Sequence, residues 1–450
     1  MLKTQSGGRP ETLIEGISID SRSITPGELF WALKGDNFDG HNFVSDAFKK
    51  GAIGAVVSDE VDDCPDDRFL IKTENTLHSL WKLGKHMRTM SNAQVIAVTG
   101  SSGKTSTKEL IAHVLERKFN VLKSFGNFNN HIGLPLTLIK IGPQHEYVVV
   151  EMGMNARGEI AQLTKLADPN IGIITNIGHA HIGLLGSREQ IFEAKAELLH
   201  GMDTGGLVVL NQDCSYVDKL RGEYSGKVIT VGTEPGADYQ ARQIKILPFE
   251  NRMSFVVNVD AREHLLSVPL LGEKLMSNVL MAIAVAIECG MSIEEVKKAL
   301  SSCKALPGRM SIESFKQITI IDDSYNANPE SMRSSLNTLD RCKGNARAIA
   351  VLGDMLELGD HSKELHKELG RWITQHISLD MLILYGEFAQ IIADGAAGQG
   401  MSKDRILHFT HKEDSITFLA RTLQPGDWLL FKGSRGMGME HIIKGLRQRL

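Results

Sequence analysis

VIAVTGSSGKTSTKELIAHVLERK, residues 95–118, is the stretch whose reading decides the fold. An apolar run ends at Thr99, breaks at Gly100-Ser101-Ser102-Gly103, and gives way after Lys104 to a helical pattern. Near-continuous apolar runs are how buried parallel strands read. The glycines let backbone N–H groups turn toward an anion at a helix N-terminus. Lys104 can reach the β- and γ-phosphates of a nucleotide, and the Thr105 hydroxyl can hold Mg²⁺. The eight-residue phosphate-loop pattern asks for a further glycine where this chain has Val98, so the match is to a TGxxGKT variant. A chance Gly-Ser turn ahead of a lysine would not need this strand–loop–helix setting. Gly100, Ser101, Ser102, Gly103, Lys104, Thr105 and Ser106 are therefore the expected nucleotide-binding residues.

Working outward, the same alternation continues. YVVVEMG (147–153), IGIITNIG (171–178) and LVVLNQD (207–213) are apolar runs ending in turn residues, with helical patterns between them. QIKILPF (243–249) and RMSFVVNV (252–259) read as an antiparallel addition before a helix from Lys274 to Glu288. A second series, ITIIDDS, AIAVLGDM, MLILYGE, ILHFT and WLLFKGS, begins at about Ile312. Upstream, LFWAL (29–33), FVSDAFKKG (43–51) and AIGAVVS (52–58) suit a small mixed domain, and RTMSNAQ (88–94) is a plausible boundary. The expected fold is α/β in three domains: residues 1–90, a central parallel-sheet domain over 91–308, and a Rossmann-like domain over 309–450.

Composition narrows the function classes. The chain has 450 residues, 42% apolar and 23% charged, with a formal charge of −4. No basic field is available for nucleic acid, so any phosphate site must be local. Five scattered cysteines with no CxxC pair read as reduced thiols of a cytoplasmic protein. No apolar run approaches the ~20 residues of a membrane span.

Beyond the loop, several polar residues admit two readings each. Glu151 ends a strand near the phosphate loop, which suits a hard cation bridging phosphates; a solvated strand-end acid is the alternative. His179 and His181, in NIGHAHIG (176–183), are either loop structure or ligands. Ser187 with Gln190 predicts a capping box. On the helix it starts, Ile191, Lys195 and Leu198 share a face, with Phe192 and Leu199 flanking. A lysine in an apolar stripe costs free energy unless paired, neutralised or modified, and a snorkelling stem is the competing account. Asn278 opens a run of small apolar residues as a cap or as a contact to a base. Pro307-Gly308-Arg309 offers a hinge, with Arg309 either meeting phosphate or serving as a linker residue. In IIDDSYNANPESM, Asn328 reads as an N-cap with Pro329 first in the helix. Asp322, Asp323, Tyr325 and Asn326 are then unexplained polar groups at a strand tip, a good place for ligand contacts.

In order along the chain, ten stretches make the sequence resemble the Mur ligase family. They are DSRSITPGELFWALKGDNFDGHNF (20–43), TGSSGKTST (99–107), GNFNNHIGLPLTL (126–138), EMGMNARGEI (151–160), NIGHAHIG (176–183), EAKAELL (193–199), LPGRM (306–310), DDSYNANPESM (322–332), LGDMLELG (352–359) and KGSRGMGME (432–440). The resemblance implies an ATP-dependent amide ligase using Mg²⁺. Its substrates would be UDP-N-acetylmuramoyl-tripeptide and D-alanyl-D-alanine, with no nucleic acid or membrane partner, and a monomer is expected. The first domain would hold the UDP end through Ser21 and Arg22. Thr105, Glu151, His181 and a carbamylated Lys195 would surround Mg²⁺, so that the catalytic set is Lys104, Lys195, His181 and Glu151. Asn278, Arg309 and Asp323 would contact nucleotide; Asn127, Asn129, Asn130, Asn326, Asn328, Asp354, Ser434 and Arg435 are the candidate substrate contacts. One departure is visible: the family's Gly-x-His-Asn is absent ahead of Asn278, where Gly272-Glu273-Lys274-Leu275 stand. A sister ligase adding a single amino acid, including the folylpolyglutamate type, and a phosphate-loop switch or kinase are the competing functions.

Overall fold

A computed structural model describes residues 12–450 and the backbone of 3–5, apart from positions 36, 62 and 63 and the side chains of 273 and 274. The chain forms two compact units: residues 1–92 with 128–143, and residues 93–127 with 144–450.

The first unit is built on a five-stranded sheet. Across it run Lys3–Gln5, Phe69–Lys72, Gly54–Val57, Glu28–Trp31 and Gly16–Ser18, parallel except for the first. Side chains alternate between faces with period two. Phe30, Ala55 and Val57 pack with Val44, Ala47 and Phe48 of the helix Val44–Lys49. Leu29, Trp31 and Val56 face Leu80 and Leu136. Leu136 belongs to the helix Gly133–Leu138, every residue of which is buried. Those apolar side chains explain why residues 128–143 leave the chain's surroundings and pack on the helix Thr76–Met90. That helix also runs through Arg88–Met90, so the linker is shorter than the sequence suggested.

The second unit holds two α/β sheets. The larger has nine strands in the order Arg262–Val268, Arg252–Val259, Tyr239–Leu247, Lys227–Gly232, Leu207–Asn211, Ile171–Ile174, Gln94–Thr99, Tyr147–Glu151 and Val121–Lys123. The last seven are parallel, the strand holding QIKIL among them, and two antiparallel strands finish the other edge; Arg262–Val268 is one strand beyond those that QIKILPF and RMSFVVNV foretold. Val95, Ile96, Ala97 and Val98 have no exposed surface, as expected for a strand covered on both faces. The helix Lys104–Leu115 packs on the helix Glu273–Glu288, in which Val279 to Ala286 are fully buried. At ~1.5–3 kcal/mol for each large apolar side chain removed from water, this pair fixes where the phosphate loop points.

The smaller sheet runs Ser311–Phe315, Ile318–Asp323, Trp428–Lys432, Ala348–Gly353, Met381–Tyr385 and Ile406–Phe409. All but the first pair are parallel. The antiparallel edge strand Ser311–Phe315 has no counterpart in the sequence reading. All five cysteines are free thiols. Among the described residues no helix is long and apolar enough to cross a membrane.

Candidate active site

The strand Gln94–Thr99 delivers the chain to Gly100, which holds φ +146°, and Gly103, at φ +82°, starts the helix Lys104–Leu115. Both conformations favour glycine. Space demands it as well: a Cβ on Gly100 would collide with Thr175 Oγ1, and one on Gly103 would lie 2.8 Å from Asn278 Oδ1. The loop is clamped from the neighbouring strand end. Asn176 accepts from Ser102 N through Oδ1 at 2.9 Å and donates through Nδ2 to Ser102 Oγ at 2.7 Å. Thr175 Oγ1 donates to Ser102 O at 2.5 Å, and Gly178 N donates to Ser101 Oγ at 2.9 Å. Thr175 and Asn176 escaped the sequence reading, although they sit in the same NIGHAHIG neighbourhood as the histidines.

Lys104 donates to Gly100 O at 2.8 Å. Burial lowers its ammonium's pKa, with Arg309 adding to this and Glu151 and Glu357 opposing. Thr105 donates its hydroxyl to Glu151 Oε2 at 2.8 Å, and Arg309 Nη2 donates to Thr105 Oγ1 at 3.0 Å. Glu151 is 2% exposed at the carboxyl end of its strand, which discards the solvated reading. A hydroxyl and a carboxylate held together at a phosphate loop match a hard, oxygen-seeking cation.

Lys195 is 1% exposed within the helix Arg188–His200, among Ile191, Phe192, Leu198 and Leu199. A snorkelling lysine keeps its head in water, and this one does not. No hydrogen bond or ion pair to Lys195 is found among the described residues. Burial drives its pKa well below the ordinary lysine value, and the nearby Lys104 charge adds to that. The expected capping box is half made. Ser187 accepts from Gln190 N at 3.2 Å, but Gln190 Oε1 instead accepts from Arg157 Nη1 at 3.1 Å.

The two histidines face the other sheet's loops. His179 pairs with Glu330, in the first turn of the helix Pro329–Cys342. His181, at φ +66°, places Nδ1 2.9 Å from Glu357 Oε2, an ion-pair distance outside hydrogen-bond alignment. The His181 ring holds the Glu357 carboxyl below its usual range. Gly183 N donates to Glu357 O at 3.0 Å, and a Cβ on Gly359 would stand 2.8 Å from Gly183 Cα. Glu330 and Glu357 lie about 150 residues or more downstream of their partners, beyond any local sequence signal.

Asn278 does not cap its helix, which begins at Glu273 after Gly272; it sits inside, 6% exposed, against Gly103. Arg309 and Ser106 open onto a cavity of about 270 Å³ lined by Leu110, Leu270, Leu275 and Leu306. At the third-part strand tips much of the polar set is already engaged. Asp323 accepts from Lys432 Nζ, from Ser335 Oγ at 2.6 Å and from Met310 N at 3.1 Å. Asp354 accepts from Glu387 N at 3.0 Å and Ala389 N at 2.7 Å. Asn328 forms the expected N-cap in a full capping box with Ser331. Asn326 Oδ1 accepts from Ala327 N at 2.9 Å, and Ser434 Oγ accepts from Leu356 N at 2.8 Å. Arg435 donates to Glu440 at 2.8 Å with its side chain still largely exposed.

In the first unit, Arg22 forks onto Asp20 through Nε and Nη2, and this holds the Asp20 carboxyl down at about 2. Ser21 beside it is 9% exposed. Asn130 Oδ1 accepts from Ile132 N and Gly133 N, at 3.1 and 2.9 Å, and so starts the helix Gly133–Leu138. Asn129 is partly exposed there; in the second unit, Asn127 is exposed.

Fold and site together define a nucleotide-dependent enzyme built on a phosphate loop. The Mur ligase family catalytic domain matches residues 13–77, the Mur ligase middle domain residues 98–286, and the Mur ligase glutamate ligase domain residues 308–435. The UDP-N-acetylmuramoyl-tripeptide–D-alanyl-D-alanine ligase of Bacillus subtilis is 38% identical, covering 97% of this chain and 94% of its own. That of Escherichia coli is 32% identical over 97% and 94%. A crystal structure of MurF from Acinetobacter baumannii superposes with a TM-score of 0.89 at 32% identity, covering 98% and 94%. MurF from Thermotoga maritima, solved in complex with ADP, gives 0.85 at 28% over 98% and 99%. The chain belongs to the Mur ligase family.

Proposed function

We propose that the chain is an ATP-dependent ligase that joins D-alanyl-D-alanine to UDP-N-acetylmuramoyl-tripeptide, in the synthesis of peptidoglycan precursor. The observation that carries this reading is the half-buried Lys104 beside the buried pair Thr105 and Glu151, tied to Arg309 and lying near a lysine whose charge burial suppresses. The names of relatives that this chain matches end to end give the substrates. The residues up to about 90 take the UDP end, with Ser21 and Arg22 near it. Residues 91–308 bind ATP, and 309–450 bring in the dipeptide, with Asn326 and Arg435 as its nearest exposed polar groups. Asn127 and Asn129 remain contacts for the precursor. Asn130 serves by shaping the turn beside Asn129, and Asn328, Asp354 and Ser434 by shaping the strand-tip loops of the last part.

The chemistry follows from atom balance. A carboxylate oxygen of the tripeptide attacks the γ-phosphorus of ATP, the bond to the β–γ bridging oxygen breaks, and ADP leaves. The resulting acyl phosphate is attacked at its carbonyl carbon by the dipeptide amine. Phosphate departs from the tetrahedral adduct with one N–H proton, leaving the amide. The protein needs no side-chain nucleophile; positioning and fixed charge do most of the work. Lys104 gives up its bond to Gly100 O to meet the β- and γ-oxygens, and Arg309 swings its free donors onto the same group. The base and ribose fit the cavity lined by Leu110, Leu270, Leu275 and Leu306, close to Ser106. Asn278 backs the loop, and Asp323, through Met310 N, sets the segment after Arg309.

Thr105, Glu151, His181 and Lys195 fit Mg²⁺, which when bound neutralises phosphate charge. Lys195 supplies an oxygen only after modification. Its neutral Nζ attacks the carbon of CO₂, an N–C bond forms, one N–H proton passes to solvent, and an anionic carbamate results. All of these groups come from one polypeptide, so a monomer suffices, and the free thiols support a cytoplasmic setting.

Phosphate release with UDP-N-acetylmuramoyl-tripeptide, with and without D-alanyl-D-alanine, tests the function. Rapid release needing both is expected. Turnover independent of a carboxylate substrate would indicate the kinase or switch class, and turnover only with a single amino acid would indicate a sister ligase.

A further inference from the structure

At the strand tip Asp322–Asn326, Asp322 Oδ1 accepts from Ser324 N at 3.1 Å and from Ser324 Oγ at 2.5 Å, which leaves Tyr325 without an assigned duty. The Tyr325 hydroxyl makes no hydrogen bond among the described residues, yet its ring is occupied. The Arg309 guanidinium carbon stands 4.0 Å from the ring centroid, and that of Arg435 stands 5.5 Å away. Its backbone is fixed as well: Tyr325 N donates to Gly308 O at 3.0 Å, and a Cβ on Gly308, at φ +71°, would press on the tyrosine at 3.3 Å. Tyr325 thus touches the glycine of the hinge and the arginine that follows it, while Arg309 reaches Thr105.

Two guanidinium groups beside one ring repel each other, and an arginine side chain has many rotamers. An aromatic face answers both problems. Its quadrupole attracts each cation, and a stacked plane limits the guanidinium to orientations that leave its edge donors free. We propose that Tyr325 is a positioning residue for nucleotide binding: its ring aims Arg309 at the phosphates and lets Arg435 approach without expelling it. The inference rests on Arg309 meeting phosphate, as in the function proposed above.

The test is a double-mutant cycle on the full-length chain, reading KM for ATP and kcat at saturating substrates. Tyr325→Leu is expected to raise KM for ATP about tenfold, the change that ~1.4 kcal/mol of lost interaction makes, and to alter kcat less. Tyr325→Phe, which keeps the ring, should stay within about twofold of the parent. In an Arg309→Ala background Tyr325→Leu should add little, because the group it aims is gone. If Tyr325→Leu raises KM by the same factor in both backgrounds, the positioning inference alone falls. If Tyr325→Phe is as damaging as Tyr325→Leu, the hydroxyl and not the ring matters, and the inference is overturned. If Arg309→Ala leaves KM for ATP unchanged, the phosphate role of Arg309 fails and takes this inference with it. Thermal melts that match the parent separate these outcomes from misfolding.

Discussion

Two regions of the second unit carry strings of polar residues at strand ends, and they use them differently. At the phosphate loop the side chains Asn176 and Thr175 hold the backbone in place, while Lys104 and Lys195, near the Thr105–Glu151 pair, sit where burial disfavours their charge. At the tips Asp322–Asn326, Gly353–Asp354 and Gly433–Arg435 most polar atoms satisfy one another: Asp323 with Lys432, Asp354 with two backbone amides, Asn328 with its own helix. A buried polar group must be paired. A fully paired one shapes a site, whereas a poorly compensated one is available to a ligand.

Substitutions sharpen this contrast. The largest effect is expected for Lys104→Ala, with kcat for amide formation falling about a thousandfold, the size seen when a preorganised charge at a transition state is lost; a steady-state assay checks it. Lys195→Met should cost about a hundredfold in rate if its carbamate is an oxygen ligand. In CO₂-depleted buffer, where the parent carries the uncompensated amine, it should also melt higher than the parent, since an apolar side chain of similar shape takes the amine's place. Parent activity should fall in CO₂-depleted buffer and return with bicarbonate, whereas the Lys195→Met enzyme should not respond. Lys432→Met, at the other region, should do the reverse. It strands the Asp323 carboxylate and destabilises the fold by roughly 3–5 kcal/mol, read from denaturant unfolding. The smallest change is expected for Asp354→Ala: about 1 kcal/mol of stability for a lost cap, with KM for the dipeptide little altered.

The same contrast explains what could be read from the chain. The phosphate loop was legible because its information is local: a strand, two glycines, a lysine and a helix in one run. Lys195 was legible as a break in helical periodicity, and its burial bears that out. Asn278 admitted a cap reading as well as a base contact; the helix starts at Glu273, one residue before the expected Lys274, so Asn278 lies inside it and the cap reading fails. Residues Asp323 and Asp354 looked like free ligand groups because their partners lie elsewhere; Lys432 is 109 positions from Asp323. No single-sequence pattern encodes a pairing of that range. The helix Gly133–Leu138 packs with the first unit for the same kind of reason, since its uniformly apolar surface marks it as buried but not against what.

The most direct measurement follows a single oxygen. With UDP-N-acetylmuramoyl-tripeptide carrying ¹⁸O in its terminal carboxylate, each amide formed should release inorganic phosphate bearing one ¹⁸O atom. Phosphate free of label while amide accumulates would contradict phosphoryl transfer to the carboxylate, and with it the role assigned to the loop before Lys104.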